Sequence, residues 1–144
     1  MPERCVDASV AVKWVVKGEP WRKKARQFLL DSLSAGITLV APPIFEYETE
    51  SVLQGQLHSR QMTVSETDTA LTRLAAIGVQ IVTHPDMVKR AREIARQANQ
   101  SRIYDSLYAA LAELRGCEFW TADKTFCDAV KVALPFVKYL PDYP

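Results

Sequence analysis

Short apolar runs alternate along this chain with longer stretches of helical periodicity. Arg4-Cys5-Val6-Asp7 and Phe119-Trp120-Thr121-Ala122-Asp123 are apolar runs that each close on an aspartate. The first is read as a strand, and Ser9 to Val16 as a short helix. Glu19-Pro20 opens a second helix, because proline suits the first helical turn. That helix runs to about Ser34 with Trp21, Ala25, Phe28 and Leu29 on one face, and Gly36 stops it. Ile37 to Ala41 is a second strand, Pro42-Pro43 breaks the chain, and a long helix follows to about Ser59. Thr63-Val64-Ser65-Glu66 has the form of a capping box and opens a helix ending near Ile77-Gly78. Val79 to Val82 is a third strand. His84-Pro85-Asp86 starts a helix to about Gln97, and a further one covers Arg102 to Leu114 with Gly116 just past it. Glu118 to Thr121 is a fourth strand, Lys124 to Val132 a helix, and Pro135 to Leu140 a fifth strand. The tail Pro141-Asp142-Tyr143-Pro144 is expected to be irregular.

Strands that alternate with helices imply an α/β fold with a parallel sheet and helices on both faces. Several crossovers contain two helices. Ligands of such sheets bind beyond the carboxyl ends of the strands. Asp7 and Asp123 both fall on that edge.

Two more acids stand out. Glu46, Glu48 and Glu50 share one helix, and at about 100° per residue Glu46 and Glu50 fall on one face. Glu48 points the other way, among Ile44, Phe45, Ser51 and Val52. A carboxylate there is costly unless paired, either with a buried Lys or Arg or with a metal ion. Asp105 lies in the first turn of its helix, where the macrodipole favours an anion. Asp7 and Asp123 also suit helix N-caps. Each acid has an ordinary structural role open to it, and only their combination points to a divalent cation held by carboxylates.

Size and composition add limits. The chain has 144 residues, enough for one domain over 1–144 with one core. The mix of 48% hydrophobic and 24% charged residues is globular and argues against disorder. A net charge of +1 leaves nucleic acid open, since a nuclease needs only a local basic rim. Cys5, Cys117 and Cys127 have no paired spacing, so free thiols in a reducing cytosol are expected. No apolar run approaches a membrane span and no signal-like leader is visible, so a cytoplasmic location is expected. His58 and His84 lack ligand spacing, Ser9 lacks a nucleophile elbow, and five glycines form no phosphate loop. Lys89, Arg90, Arg92 and Arg96 make one helix basic, as a solvated face would be. Trp14, Trp21 and Trp120 are expected in the core or an interface.

Four segments in order carry a family resemblance. These are Val6-Asp7-Ala8-Ser9-Val10, then Ala41-Pro42-Pro43-Ile44-Phe45-Glu46-Tyr47-Glu48, then Tyr104-Asp105-Ser106-Leu107-Tyr108-Ala109-Ala110-Leu111-Ala112-Glu113, and finally Trp120-Thr121-Ala122-Asp123. The chain resembles the PIN-domain ribonucleases, in particular the toxin component of VapBC-type toxin–antitoxin pairs. The register of the second motif selects Glu48, as helical geometry does. Ser51 departs from the pattern, since many relatives carry asparagine there.

The resemblance implies a three-layer sandwich around a five-stranded parallel sheet. It implies a homodimer, a cognate antitoxin, and Mg²⁺- or Mn²⁺-dependent cleavage of RNA by an activated water. Asp7, Glu48, Asp105 and Asp123 become the expected metal ligands and catalytic acids. Ser9 and Thr121 are candidates to hydrogen-bond water or carboxylates beside them, and Asp128 is a possible extra acid. Arg102 or Lys124 is a candidate phosphate-positioning residue. The rival reading is a catalytically silent PIN-like binding or scaffold module. A haloacid dehalogenase-type phosphatase would want an aspartate at position 9, where serine stands, and a phosphate-receiver domain would want paired acids near the first strand.

Overall fold

The computed structural model describes residues 2–144. Five strands, β1 (Glu3–Val6), β2 (Thr38–Ala41), β3 (Gln80–Ile81), β4 (Glu118–Thr121) and β5 (Val137–Tyr139), form one parallel sheet in the order β3-β2-β1-β4-β5. Helices α1 (Ala8–Val15) and α2 (Arg22–Ser34) join β1 to β2, and α3 (Ile44–His58) and α4 (Val64–Ile77) join β2 to β3. Helices α5 (Met87–Gln97) and α6 (Tyr104–Arg115) join β3 to β4, and α7 (Lys124–Val130) joins β4 to β5. The α/β fold with a five-stranded parallel sheet is therefore as the sequence led us to expect.

Alternation along β1 and β4 shows how both faces are covered. Successive strand residues point to opposite faces. Cys5 and Phe119 are register partners, and both meet α6: the Cys5 thiol donates to the Tyr108 carbonyl, and the Phe119 ring stacks on Tyr108 at 5.4 Å. Trp120, one residue on, turns to the other side and meets Phe28 of α2 at 5.6 Å. Arg4 is on that same side, with its guanidinium 5.1 Å from the Phe28 ring centre. The core is thus divided between an α6–α7 layer and an α1–α2 layer.

The winding direction reverses between β1 and β4, which sit side by side although far apart in the chain. A crevice opens at such a switch point, beyond the strand carboxyl ends. β1 ends one residue before Asp7, and β4 ends two before Asp123.

Local signals held where the chemistry was self-contained. Thr63 and Glu66 form the reciprocal capping box, with Glu66 N–H donating to Thr63 Oγ1 at 3.1 Å and Thr63 N–H to Glu66 Oε1 at 2.9 Å. Gly78 and Gly116 take left-handed conformations, φ 81° and 67°, just past α4 and α6. Thr63→Ala is expected to cost about 1 kcal/mol, read as a lower midpoint in urea with an unchanged slope.

Other expectations are corrected. Trp21 is not on the inner face of α2: it is 52% exposed, has φ 60°, and precedes the helix, accepting from Ala25 N–H as its cap. Trp14 and Trp120 are buried as expected. β3 is shorter than expected, two residues at the sheet edge paired only with β2. The tail is ordered, with Leu140–Asp142 forming a 3₁₀ turn and Tyr143 buried against Phe28 and Trp120. The three cysteines are free thiols. Among the described residues, no helix is long and apolar enough to cross a membrane.

Candidate active site

Asp7 caps α1, with its Oδ1 accepting from Val10 N–H at 3.2 Å. It is only 4% exposed. Two hydroxyls donate to it: Ser9 Oγ to Oδ1 and Thr121 Oγ1 to Oδ2, each at 2.5 Å. Each hydroxyl also accepts a backbone N–H from beyond β4, Ser9 from Ala122 at 3.0 Å and Thr121 from Asp123 at 3.1 Å. A hydroxyl has one proton and accepts through its lone pairs. Both protons therefore go to Asp7, which must act as acceptor. This arrangement also ties the end of β1 to the end of β4.

Asp123 caps α7, accepting from Phe126 N–H through Oδ1 at 3.0 Å. The capping roles open to Asp7 and Asp123 are thus real, and both residues still line the crevice. A pocket of about 960 Å³ is bordered by Asp7, Glu48, Asp105 and Asp123 together, with Arg102 at its rim. Folding gathers four acids from α3, α6 and the ends of two strands.

Glu48 is half-buried and, among the described residues, has no Lys or Arg partner; its Oε1 accepts from the Tyr108 hydroxyl at 2.6 Å. The buried face of α3 is Phe45, Thr49 and Leu53. The apolar stripe assigned to Glu48 from sequence is therefore partly the pocket wall, since Ile44, Ser51 and Val52 line the crevice. Glu46 and Glu50 are exposed, as expected. Tyr108 is a site residue that the sequence reading misses. It follows Asp105 by three residues on α6, so it shares that acid's helical face. That spacing is the one signal that could have found it.

The electrostatics show the strain of gathering like charges. Burial pushes the Asp7 carboxyl up to about 6, against the pull of the Ser9 and Thr121 hydroxyls. Burial also pushes Asp105 up to about 8, followed by the negative charges of Asp7 and Asp123 and a shared hydrogen bond with Asp123. Glu48 is raised by burial and held back by the Tyr108 hydroxyl. Among the described residues, the ion pairs of this protein do not include any of these four acids. Repelling carboxylates with no protein cation between them suit a hard divalent ion, which prefers oxygen ligands. Among the described residues, no group of three or more His, Cys, Asp or Glu side chains is placed closely enough to hold a metal ion by itself. An ion that keeps several of its own waters fits such an open set; one demanding an all-protein cage does not.

Two candidates fall outside the pocket. Asp128 is exposed on α7 and pairs with Lys124 at 2.7 Å and Lys131 at 3.7 Å, so it does not join the acids. Lys124, the other half of that exposed pair, does not line the pocket either. Arg102 remains, with its guanidinium 5.9 Å from the Tyr104 ring centre. On the basic helix α5, Arg90 is committed to Glu113 and Glu93. His84 accepts Asp86 N–H at 3.0 Å, a local turn role.

Comparison with known proteins places this geometry in a family. The fold is similar to the crystal structure of PAE2754 from Pyrobaculum aerophilum, with a TM-score of 0.62 and 18% identity over 93% of this chain and 95% of that one. At that identity the likeness speaks for the fold alone. No curated protein matches the sequence. The PIN-domain family model matches residues 4–132, nearly the whole chain and all four acids. The chain therefore belongs to the PIN-domain family, whose members are generally nucleases.

Proposed function

We propose that this PIN domain, spanning 1–144, is a Mg²⁺- or Mn²⁺-dependent endoribonuclease, acting in a homodimer as a toxin that a cognate antitoxin neutralises. One observation carries the nuclease part: four carboxylates line one pocket at the sheet's switch point, and among the described residues no Lys or Arg is paired to any of them. The toxin, antitoxin and dimer parts rest on the resemblance of the four motifs.

Asp7, Glu48, Asp105 and Asp123 would hold the ion, partly through water. A bound divalent ion supplies Lewis acidity, acidifying a water for in-line attack on phosphorus and stabilising charge on the leaving 3′ oxygen. Ser9 and Thr121 keep Asp7 an acceptor and fix its orientation. Tyr108 does the same for Glu48 from a buried, stacked ring. Asp123 is aimed by the N-terminus of α7. Arg102 offers the rim's positive charge to a phosphate. The products would carry a 5′-phosphate and a 3′-hydroxyl.

The test is cleavage of a structured RNA panel with Mn²⁺ and with EDTA, beside calorimetric Mn²⁺ titration. EDTA is expected to abolish cleavage and excess Mn²⁺ to restore it. Cleavage that persists in EDTA would refute the scheme. An absence of specific Mn²⁺ uptake would favour the silent binding module. A short neighbouring gene encoding a DNA-binding head and a basic or amphipathic tail would support the antitoxin.

Arg102 gives a separate expectation. Arg102→Ala should weaken RNA binding about equally across sequences and reduce the slope of log affinity against log salt by about one. Fluorescence anisotropy in EDTA at four or five salt concentrations measures it.

A further inference from the structure

Two partly exposed aromatic rings border the acid pocket. Tyr47 on α3 is 72% exposed and Tyr104 at the start of α6 is 45% exposed, and both line the crevice. The aromatic contacts among the described residues join Phe28, Tyr108, Phe119, Trp120, Phe126 and Tyr143, all buried. Tyr47 and Tyr104 take part in none of them. Exposing large aromatic surface is unfavourable unless something covers it.

Their position is tied to the acids. Tyr47 precedes Glu48 and Tyr104 precedes Asp105. Helical neighbours are about 100° apart, so an acid turned into the pocket leaves the preceding tyrosine on its shoulder. The Arg102 guanidinium beside the Tyr104 ring puts a fixed positive charge on that same shoulder. The pocket is also larger than an ion needs. Six waters at ~30 Å³ each occupy roughly 200 Å³, against about 960 Å³ here. Space, flat π-faces and one cation together match a nucleotide, whose base stacks and whose phosphate is anionic.

We infer that Tyr47 and Tyr104 are stacking platforms, each ring taking the face of one unpaired nucleobase beside the scissile phosphate. The inference rests on the nuclease reading above. A base held in a duplex has both faces covered by its neighbours and cannot use either ring without unstacking.

The experiment compares the wild-type chain with Tyr47→Ala, Tyr104→Ala, Tyr47→Phe and Tyr104→Phe. Binding of a 2-aminopurine-labelled single strand and of its duplex is measured in EDTA, cleavage kinetics of a loop RNA with Mn²⁺, and oligomeric state by sedimentation. Each Ala variant is expected to lose about 5- to 150-fold in single-strand affinity, with KM raised more than kcat is lowered. The Phe variants should stay within about twofold, since the ring and not the hydroxyl stacks. Duplex affinity should not move, and the 2-aminopurine quench should disappear with either Ala.

Unchanged single-strand affinity in both Ala variants overturns the inference, as does an equal loss for duplex or a loss in the Phe variants. A Tyr47→Ala protein that changes oligomeric state while binding RNA normally also overturns it and assigns Tyr47 to a contact between copies. Should wild type bind single strands through these rings yet leave RNA intact with Mn²⁺, the platforms stand and the nuclease reading falls. Metal-dependent cleavage indifferent to both Ala changes overturns the platforms and leaves the nuclease reading standing.

Discussion

Asp105→Asn is expected to lower RNA cleavage about a thousandfold or more while making the metal-free protein more stable. The first effect follows from removing a carboxylate that would share in holding the ion. A bound ion is worth several kcal/mol of transition-state stabilisation, and each 1.36 kcal/mol is tenfold in rate. The second effect comes from the burial and the repulsion described above. Burial and the charges of Asp7 and Asp123 raise Asp105 to about 8 in the folded protein, against an ordinary 3.8. The folded state therefore binds this proton more tightly than the unfolded chain does. Stability is fully present below about pH 4 and is lost as pH rises through about 8. Asp7, raised to about 6, adds to the slope over the lower part of that window.

An amide of the same shape cannot ionise and lacks Asp105's share of the penalty. Solvent reaches this half-buried group and screens the effect, so the gain at pH 8 is on the order of 1–2 kcal/mol. That corresponds to a Tm higher by roughly 3–8 °C. Thermal melts from pH 5 to 9 in EDTA would show the wild-type Tm falling and the variant's falling less. Mn²⁺ should raise the wild-type Tm more at pH 8 than at pH 6, because the ion and the proton compete for the same oxygens. A variant with full activity, or one less stable than wild type at pH 8, would contradict the placement of Asp105 in a repelling cluster.

The four acids that line the pocket could be picked out along the chain because each carries its own local signature. Asp7 and Asp123 end apolar strands, Asp105 opens a helix, and Glu48 opposes its solvated neighbours Glu46 and Glu50. The parallel sheet followed from the regular alternation of elements. What stayed hidden depends on contacts distant in sequence. Tyr108 reads as one more apolar position on α6, and only the packing of α3 beside it reveals a hydroxyl bonded to Glu48. Asp128 reads as an acid near Asp123, but a helix of two turns carries it round to Lys124 and Lys131. Trp21 matched the period of α2, yet its left-handed backbone leaves it outside the helix with Lys24 over its ring at 5.9 Å. Periodicity gives the face a residue would occupy if the helix included it, and it cannot show where the helix begins.

Removing both hydroxyls that hold Asp7, as Ser9→Ala with Thr121→Val, is expected to weaken Mn²⁺ binding and cleavage at pH 7 by about 100-fold or more. Loss of one outer hydrogen bond to a metal ligand costs about 10- to 100-fold, and two on the same carboxylate need not simply multiply. The two hydroxyls are the largest influences opposing burial at Asp7, ahead of the Val10 N–H. Without them burial dominates, and the Asp7 proton binds more tightly still. A larger share of the carboxyl is then protonated at pH 7 and must shed that proton before it can hold an ion. Activity and Mn²⁺ affinity should therefore recover as pH rises toward 9, by a larger factor than in wild type.

A purely mechanical role for the hydroxyls leads to a different result. They also accept Ala122 N–H and Asp123 N–H, and leaving those donors unpaired costs about 1–3 kcal/mol each where they are buried. That loss lowers Tm at every pH and gives no alkaline recovery of metal affinity. Thr121→Ser separates the two, because it keeps the hydroxyl, and with it most of the Mn²⁺ affinity at pH 7, while giving up a methyl in a fully buried position. If Thr121→Ser loses as much Mn²⁺ affinity as Thr121→Val, keeping the hydroxyl does not preserve the site, and the assignment of Thr121 as the group that orients this carboxylate is wrong.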